Sequence, residues 1–97
     1  MIPADVESFV IRKFAAEDVP GALEILAEAV THTGVPAEPR LLRCAVFASD
    51  KTLRGLKYQV AGLAIDYRDV ILAAEYRRKD GKSVQVRDFL LPIANDA

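Results

Sequence analysis

The pattern that most constrains this chain runs from Leu53 to Ala74. Leu53, Leu56, Val60, Leu63, Tyr67, Val70 and Ala74 follow one another at alternating steps of three and four. That is the repeat of one face of an α-helix. Asp66 lies within the stripe and Asp69 stands three residues on, resembling a capping box with Asp in place of Glu. The expected outcome is two helices, over 51–65 and 67–78, with a bend near Asp66; one long helix is the alternative. On this reading Arg77, Arg78 and Lys79 occupy the last helical turn, where cations favour the negative end of the helix dipole.

Shorter patterns add to the helical reading. Ile2, Val6, Phe9, Val10 and Phe14 suit one face of a helix over 2–14, although Phe9-Val10-Ile11 also suits a buried strand. Over 18–31, Asp18 stands at a capping position and Pro20 in the first turn, and Leu23, Leu26, Ala27 and Val30 repeat at helical spacing. Gly34 and Pro36 are expected to end that helix. Pro39 opens a third, through Leu42, Ala45, Val46 and Ala48, and Ser49 or Asp50 caps the fourth. Asp80-Gly81 marks a turn. Ser83–Arg87 alternates as a strand does, with no evident partner in the chain, and Leu90, Leu91 and Ile93 form an apolar tail expected to dock on the helices. The expected fold is all-α: a compact bundle of four or five short helices with a C-terminal extended segment.

Ninety-seven residues leave room for one domain, 1–97, and 52% hydrophobic against 28% charged residues is a globular composition. That length excludes a multidomain enzyme, an eight-unit strand–helix barrel and a full dinucleotide fold. Thirteen basic against fourteen acidic residues give a net charge of −1. Neither half of the chain is basic enough to read as a nucleic-acid surface on charge alone. The lone Cys44 excludes an internal disulfide and a paired-cysteine zinc site, and implies a reducing compartment. Asp5, Glu7, Glu17 and Asp18 in the first twenty residues do not suit a signal or transit peptide. No apolar run approaches the roughly 20 residues that span a bilayer. A soluble cytoplasmic protein is expected.

Individual motifs are weak. Asp80-Gly81-Lys82-Ser83 contains the Gly-Lys-Ser end of a phosphate-binding loop, but Tyr76 stands where that loop requires its first glycine. His32, the single histidine, sits between two threonines without a local nucleophile or second base. Cys44 reads as a small buried hydrophobe, with Arg40 and Arg43 as the only hint of an activated thiol. Gly55 and Gly62, seven apart, offer a helix face for close approach by another helix or a second subunit. Arg77, Arg78, Lys79, Lys82 and Arg87 are candidate phosphate contacts, interleaved by Asp80 and Asp88.

Gln59-Val60-Ala61-Gly62-Leu63-Ala64 fits Gln-x-x-Gly-x-Gly/Ala and is similar to the pyrophosphate loop of GNAT-type acetyltransferases. Phe9–Lys13, followed by Glu17–Pro20, resembles that family's first strand and helix. The resemblance implies a degenerate acyl-coenzyme A site, and it requires a strand at 9–14. The densest mixture of charge and aromatics is Asp66–Asp69 with Glu75–Arg78. Tyr67, Arg68, Glu75, Tyr76, Arg77 and Arg78 are therefore the candidate interaction residues. The plainer reading makes Asp66 a cap, Tyr67 core and the arginines surface. The expected function is non-catalytic and acts through contacts with another protein or a second copy of the chain. No cofactor, metal or membrane is expected, and nucleic acid is the less favoured partner. The alternatives are the acyl-coenzyme A site and a nucleic-acid accessory domain using the basic residues after position 76.

Overall fold

Four helices and one short hairpin make up the computed structural model, which describes residues 2–94. The order is α1 (Ala4–Lys13), a single 3-10 turn (Ala16–Asp18), α2 (Val19–Ala27), α3 (Pro39–Phe47), α4 (Leu53–Glu75), β1 (Tyr76–Lys79) and β2 (Lys82–Gln85). Helix accounts for 58% of the structure. The fold is thus broadly helical, and the all-α expectation is corrected by the antiparallel pair β1–β2. The expected domain, 1–97, includes Met1 and residues 95–97, which lie outside the described residues.

The stripe of α4 is the spine of the core. Leu56, Leu63 and Ala74 are fully buried, Val70 nearly so, and Leu53 and Val60 pack half-buried against them. Val6, Phe9 and Val10 of α1, Ala22 and Leu26 of α2, and Leu41, Leu42, Ala45 and Val46 of α3 complete the cluster. Burying one leucine of this kind is worth about 1.5–3 kcal/mol. Tyr67, expected in the core, is instead 36% exposed.

The bend occurs where the sequence predicts it. Asp66 has φ −155° and ψ 101°, which breaks the helical ladder and leaves two arms, 53–65 and 67–75. The Asp66 carboxylate accepts the Arg68 backbone N–H at 3.1 Å, capping the second arm. The elbow is tight: a Cβ at Gly62 would stand 3.1 Å from Val70 Cγ2, on the other arm. At Gly55 a Cβ would collide with the Ser49 carbonyl. Both glycines therefore serve close approaches within the chain.

Several boundaries differ from expectation, each for a local reason. Phe9–Lys13 is helical. Asp18 makes no side-chain cap, and α2 stops at Ala27 rather than near residue 31. The β-branched Val30 and Thr31 pair back instead: Val30 bridges Pro36, and Thr31 N–H donates to Val35 O at 2.9 Å. The cap of α4 is Thr52, whose hydroxyl accepts Gly55 N–H at 3.0 Å; Ser49 donates to Val46 O at 2.6 Å and closes the preceding turn.

The second arm ends at Glu75, three residues early, so Arg77, Arg78 and Lys79 lie on a strand and not in a last helical turn. Their strand supplies the partner that Ser83–Arg87 seemed to lack. The register pairs Tyr76 with Gln85, Arg77 with Val84, Arg78 with Ser83 and Lys79 with Lys82. Asp80 and Gly81, with φ of 52° and 75°, form the connecting turn, whose twist matches that of paired strands. The tail docks through Phe89 and Ile93, each 5% exposed, whereas Leu90 and Leu91 remain in solvent.

Candidate functional site

Glu75 closes α4 and is fully buried. A carboxylate at that depth requires a full set of donors. Five surround it. Arg40 grips it bidentately, Nε to Oε2 at 2.9 Å and Nη2 to Oε1 at 2.8 Å. The Gln85 amide donates to Oε1 at 2.9 Å, and Cys44 Sγ and the Phe89 N–H each reach Oε2 at 3.4 Å. The Arg40 hydrogen bonds hold the Glu75 carboxyl below its ordinary pKa against the opposing effect of burial. Burial first, and the Glu75 carboxylate second, push the Cys44 thiol far up. Cys44 is therefore a protonated donor and not an activated nucleophile.

A second ion pair works beside the first. Arg43, one turn after Arg40 on α3, is bidentate to Asp5 of α1 at 2.9 and 3.1 Å. Burial raises the Asp5 pKa, but the bonds from Arg43 and the Ile93 N–H outweigh it and leave it lowered. Asp5 Oδ2 accepts the Ile93 N–H at 3.0 Å, and Arg43 donates to the Phe89 carbonyl at 3.2 Å. Phe89 is thus bracketed, its N–H by Glu75 and its C=O by Arg43. Arg87 completes the strap, its guanidinium 4.4 Å above the Phe47 ring. These charges fasten the tail and the base of the hairpin to the helices. Among the described residues no buried side-chain nitrogen or oxygen lacks a partner. Glu75 therefore belongs to the structural clamp rather than to an exposed interaction site.

The remaining candidate residues separate into two places. Tyr76 is half-buried at the base of β1, and Arg77 and Arg78 are exposed along it. Tyr67 and Arg68 lie at the elbow. Arg68 pairs with Asp66 through Nε at 3.0 Å and Nη2 at 3.0 Å, both in solvent. The Tyr67 ring stacks on His32 at 6.2 Å with an interplanar angle of 17°. The exposed loop histidine is thereby joined to the predicted residues from 35 positions away.

Inside the elbow lies an open groove of about 340 Å³, with Ala61 and Gly62 from the first arm and Asp69, Val70 and Ala73 from the second. Tyr58 and Ile65 stand at its edge, 76% and 79% exposed. Ile65 also lines the shallow depression around His32, Tyr67 and Arg68, so the two surfaces are continuous. Tyr58 and Ile65 had a sequence signal, a seven-residue step out of phase with the core stripe. The clamp had none, because its pairs join positions 10 to 88 residues apart.

No family model matches this sequence, and no curated protein or solved structure shows significant similarity to it. The acetyltransferase-like pieces do not take the form that resemblance requires: 9–13 is helix, and Gln59–Ala64 lies within the first arm of α4. Among the described residues no three His, Cys, Asp or Glu side chains are grouped to hold a metal, and no helix is long and apolar enough to cross a membrane.

Proposed function

We propose that this protein is a non-catalytic interaction module that associates with a second copy of itself through the elbow of α4. The observation that carries the reading is the pairing of Ile65, 79% exposed, with a neighbouring groove floored by Ala61, Gly62 and Ala73. A protruding side chain and a recess on one patch make a self-complementary surface. A two-fold contact requires that property, since each copy offers its knob to the other's hole. Tyr58 adds a large amphipathic ring, a residue type favoured in interface centres. The size of the chain supports the reading as well, because a core this small benefits from further burial. Pairing of the segment after Gly81 with a second copy loses its motive, because β2 pairs with β1 in its own chain, and Gly55 packs against the Ser49 carbonyl of its own chain.

Light scattering at two protein concentrations a hundredfold apart tests the proposal. The wild type is expected to approach twice the 10.6 kDa chain mass at the higher concentration. Ile65→Asp is expected to stay monomeric with an unchanged circular dichroism spectrum, because Ile65 lies outside the core. A wild type that remains monomeric, or an Ile65→Asp variant that still dimerises, overturns the reading.

A further inference from the structure

We propose that the β1–β2 ribbon seats on the phosphate backbone of duplex DNA. The argument begins with register. Residues directly opposite one another share a face of an antiparallel pair, as do residues two apart along a strand. Arg77 opposite Val84 and Lys79 opposite Lys82 therefore place three cations on one face. Tyr76, Arg78, Ser83 and Gln85 form the other face, and Gln85 turns it toward the body by bonding to Glu75. Arg77, Arg78, Lys79 and Lys82 are all exposed. The salt bridges among the described residues join Arg40 to Glu75, Arg43 to Asp5 and Arg68 to Asp66, so the four ribbon cations are in none of them.

Charge is concentrated there. Four cations and the single acid Asp80 give residues 76–85 a charge of +3, while the whole chain is −1, so the remaining residues carry −4. A molecule polarised in this way approaches a polyanion ribbon-first and holds its body away. The platform is also anchored at its foot. Val86 and Arg87 N–H both donate to the Glu75 carbonyl, at 2.7 and 3.2 Å, at the foot of the ribbon. Cations on a fixed strand lose less freedom on binding than cations on a coil.

Shape selects the partner. A two-stranded ribbon enters the major groove, about 12 Å wide, and Arg77 and Lys79 lie roughly 6.7 Å apart along β1. One DNA strand presents a charge every ~3.4 Å of axis and winds as it rises, so a pair at this spacing suits neighbouring phosphates of one strand. The cationic face holds one apolar residue of the hairpin, Val84, and so lacks the broad apolar face of membrane-surface segments. Lysines at both strand ends also discourage edge-to-edge strand pairing.

The test is fluorescence anisotropy of a labelled 20-base-pair DNA duplex, titrated with the full chain at 50 and 200 mM salt. Three phosphate contacts predict a log–log salt slope of about −2.7, hence roughly a 40-fold loss of affinity between the two conditions. Lys79→Glu with Lys82→Glu is expected to weaken binding at least ~10-fold and to flatten the slope by about 1.8. Arg54→Glu with Lys57→Glu, the same charge change on exposed α4 positions, is expected to stay within about threefold of wild type. Circular dichroism confirms that both variants fold. Binding indifferent to salt, equal losses in the two double variants, or an unaffected ribbon variant overturns the proposal. Co-sedimentation with phosphatidylserine vesicles in the absence of duplex binding overturns it in favour of a lipid surface.

Discussion

Replacing Glu75 by Gln tests whether the clamp holds the C-terminal third of the chain. The five donors around the carboxylate come from Arg40, Cys44, Gln85 and Phe89. Glutamine keeps the shape but offers one acceptor oxygen and adds two donor hydrogens. One side of the group then faces Arg40 Nη2 and the Gln85 amide with a donor of its own. Removing one member of a buried pair costs about 3–5 kcal/mol. Arg40 retains 26% side-chain exposure and can recover water, which places the expected loss near 3 kcal/mol. A domain of this size holds roughly 5–15 kcal/mol in total, so urea melts read the change directly, and the melting temperature should fall by 12 °C or more. Amide exchange at Phe89 should accelerate beyond the global effect, since its N–H donates to the Glu75 carboxylate, whereas the Val86 and Arg87 N–H groups donate to the Glu75 backbone carbonyl, which the substitution keeps. The pH response carries its own sign. The folded Glu75 pKa lies below its unfolded value, so its stabilisation is present above the unfolded pKa, about 4.3, and is lost as pH falls through the folded one. Glu75→Gln should remove that part of the acid sensitivity. A loss under about 1 kcal/mol, with unchanged acid sensitivity, would refute the clamp.

Leu56→Ala and Leu63→Ala should each cost about 2–5 kcal/mol in denaturant melts, because both side chains are fully buried; losses under about 1 kcal/mol for both would put the stripe outside the core. Gly55→Ala should destabilise by about 1–2 kcal/mol although alanine is the better helix former, since its Cβ meets the Ser49 carbonyl. A stabilised variant in the same melts would show that the approach of loop and helix is looser than described. Cys44 should react with a thiol reagent only as fast as the protein opens, being buried and held protonated. Labelling of the native protein at the rate of a free thiol would contradict that environment.

The sequence by itself determined the helices, the elbow and most of the core. Their signals are local: the three–four stripe of α4, Asp66 within it, and Pro20 and Pro39 in first turns all act within a few residues of themselves. Tertiary structure decided where regular helix gives way. Residues 76–78 continue a plausible helix on their own. Pairing β1 with β2 satisfies their backbone across a two-residue turn, and the Glu75 backbone carbonyl gives Val86 and Arg87 an acceptor at the strand's foot. The candidate residues divided for the same reason. Tyr67 and Arg68 stayed at the surface because the elbow turns them out toward His32, while Glu75 became buried because Arg40, Cys44, Gln85 and Phe89 converge on it. A charged residue reads as surface in any sequence window, since exposure is its lowest-energy state when alone. Only partners 10 to 35 residues away could supply enough hydrogen bonds to bury this one, and no periodicity records a contact at such separations.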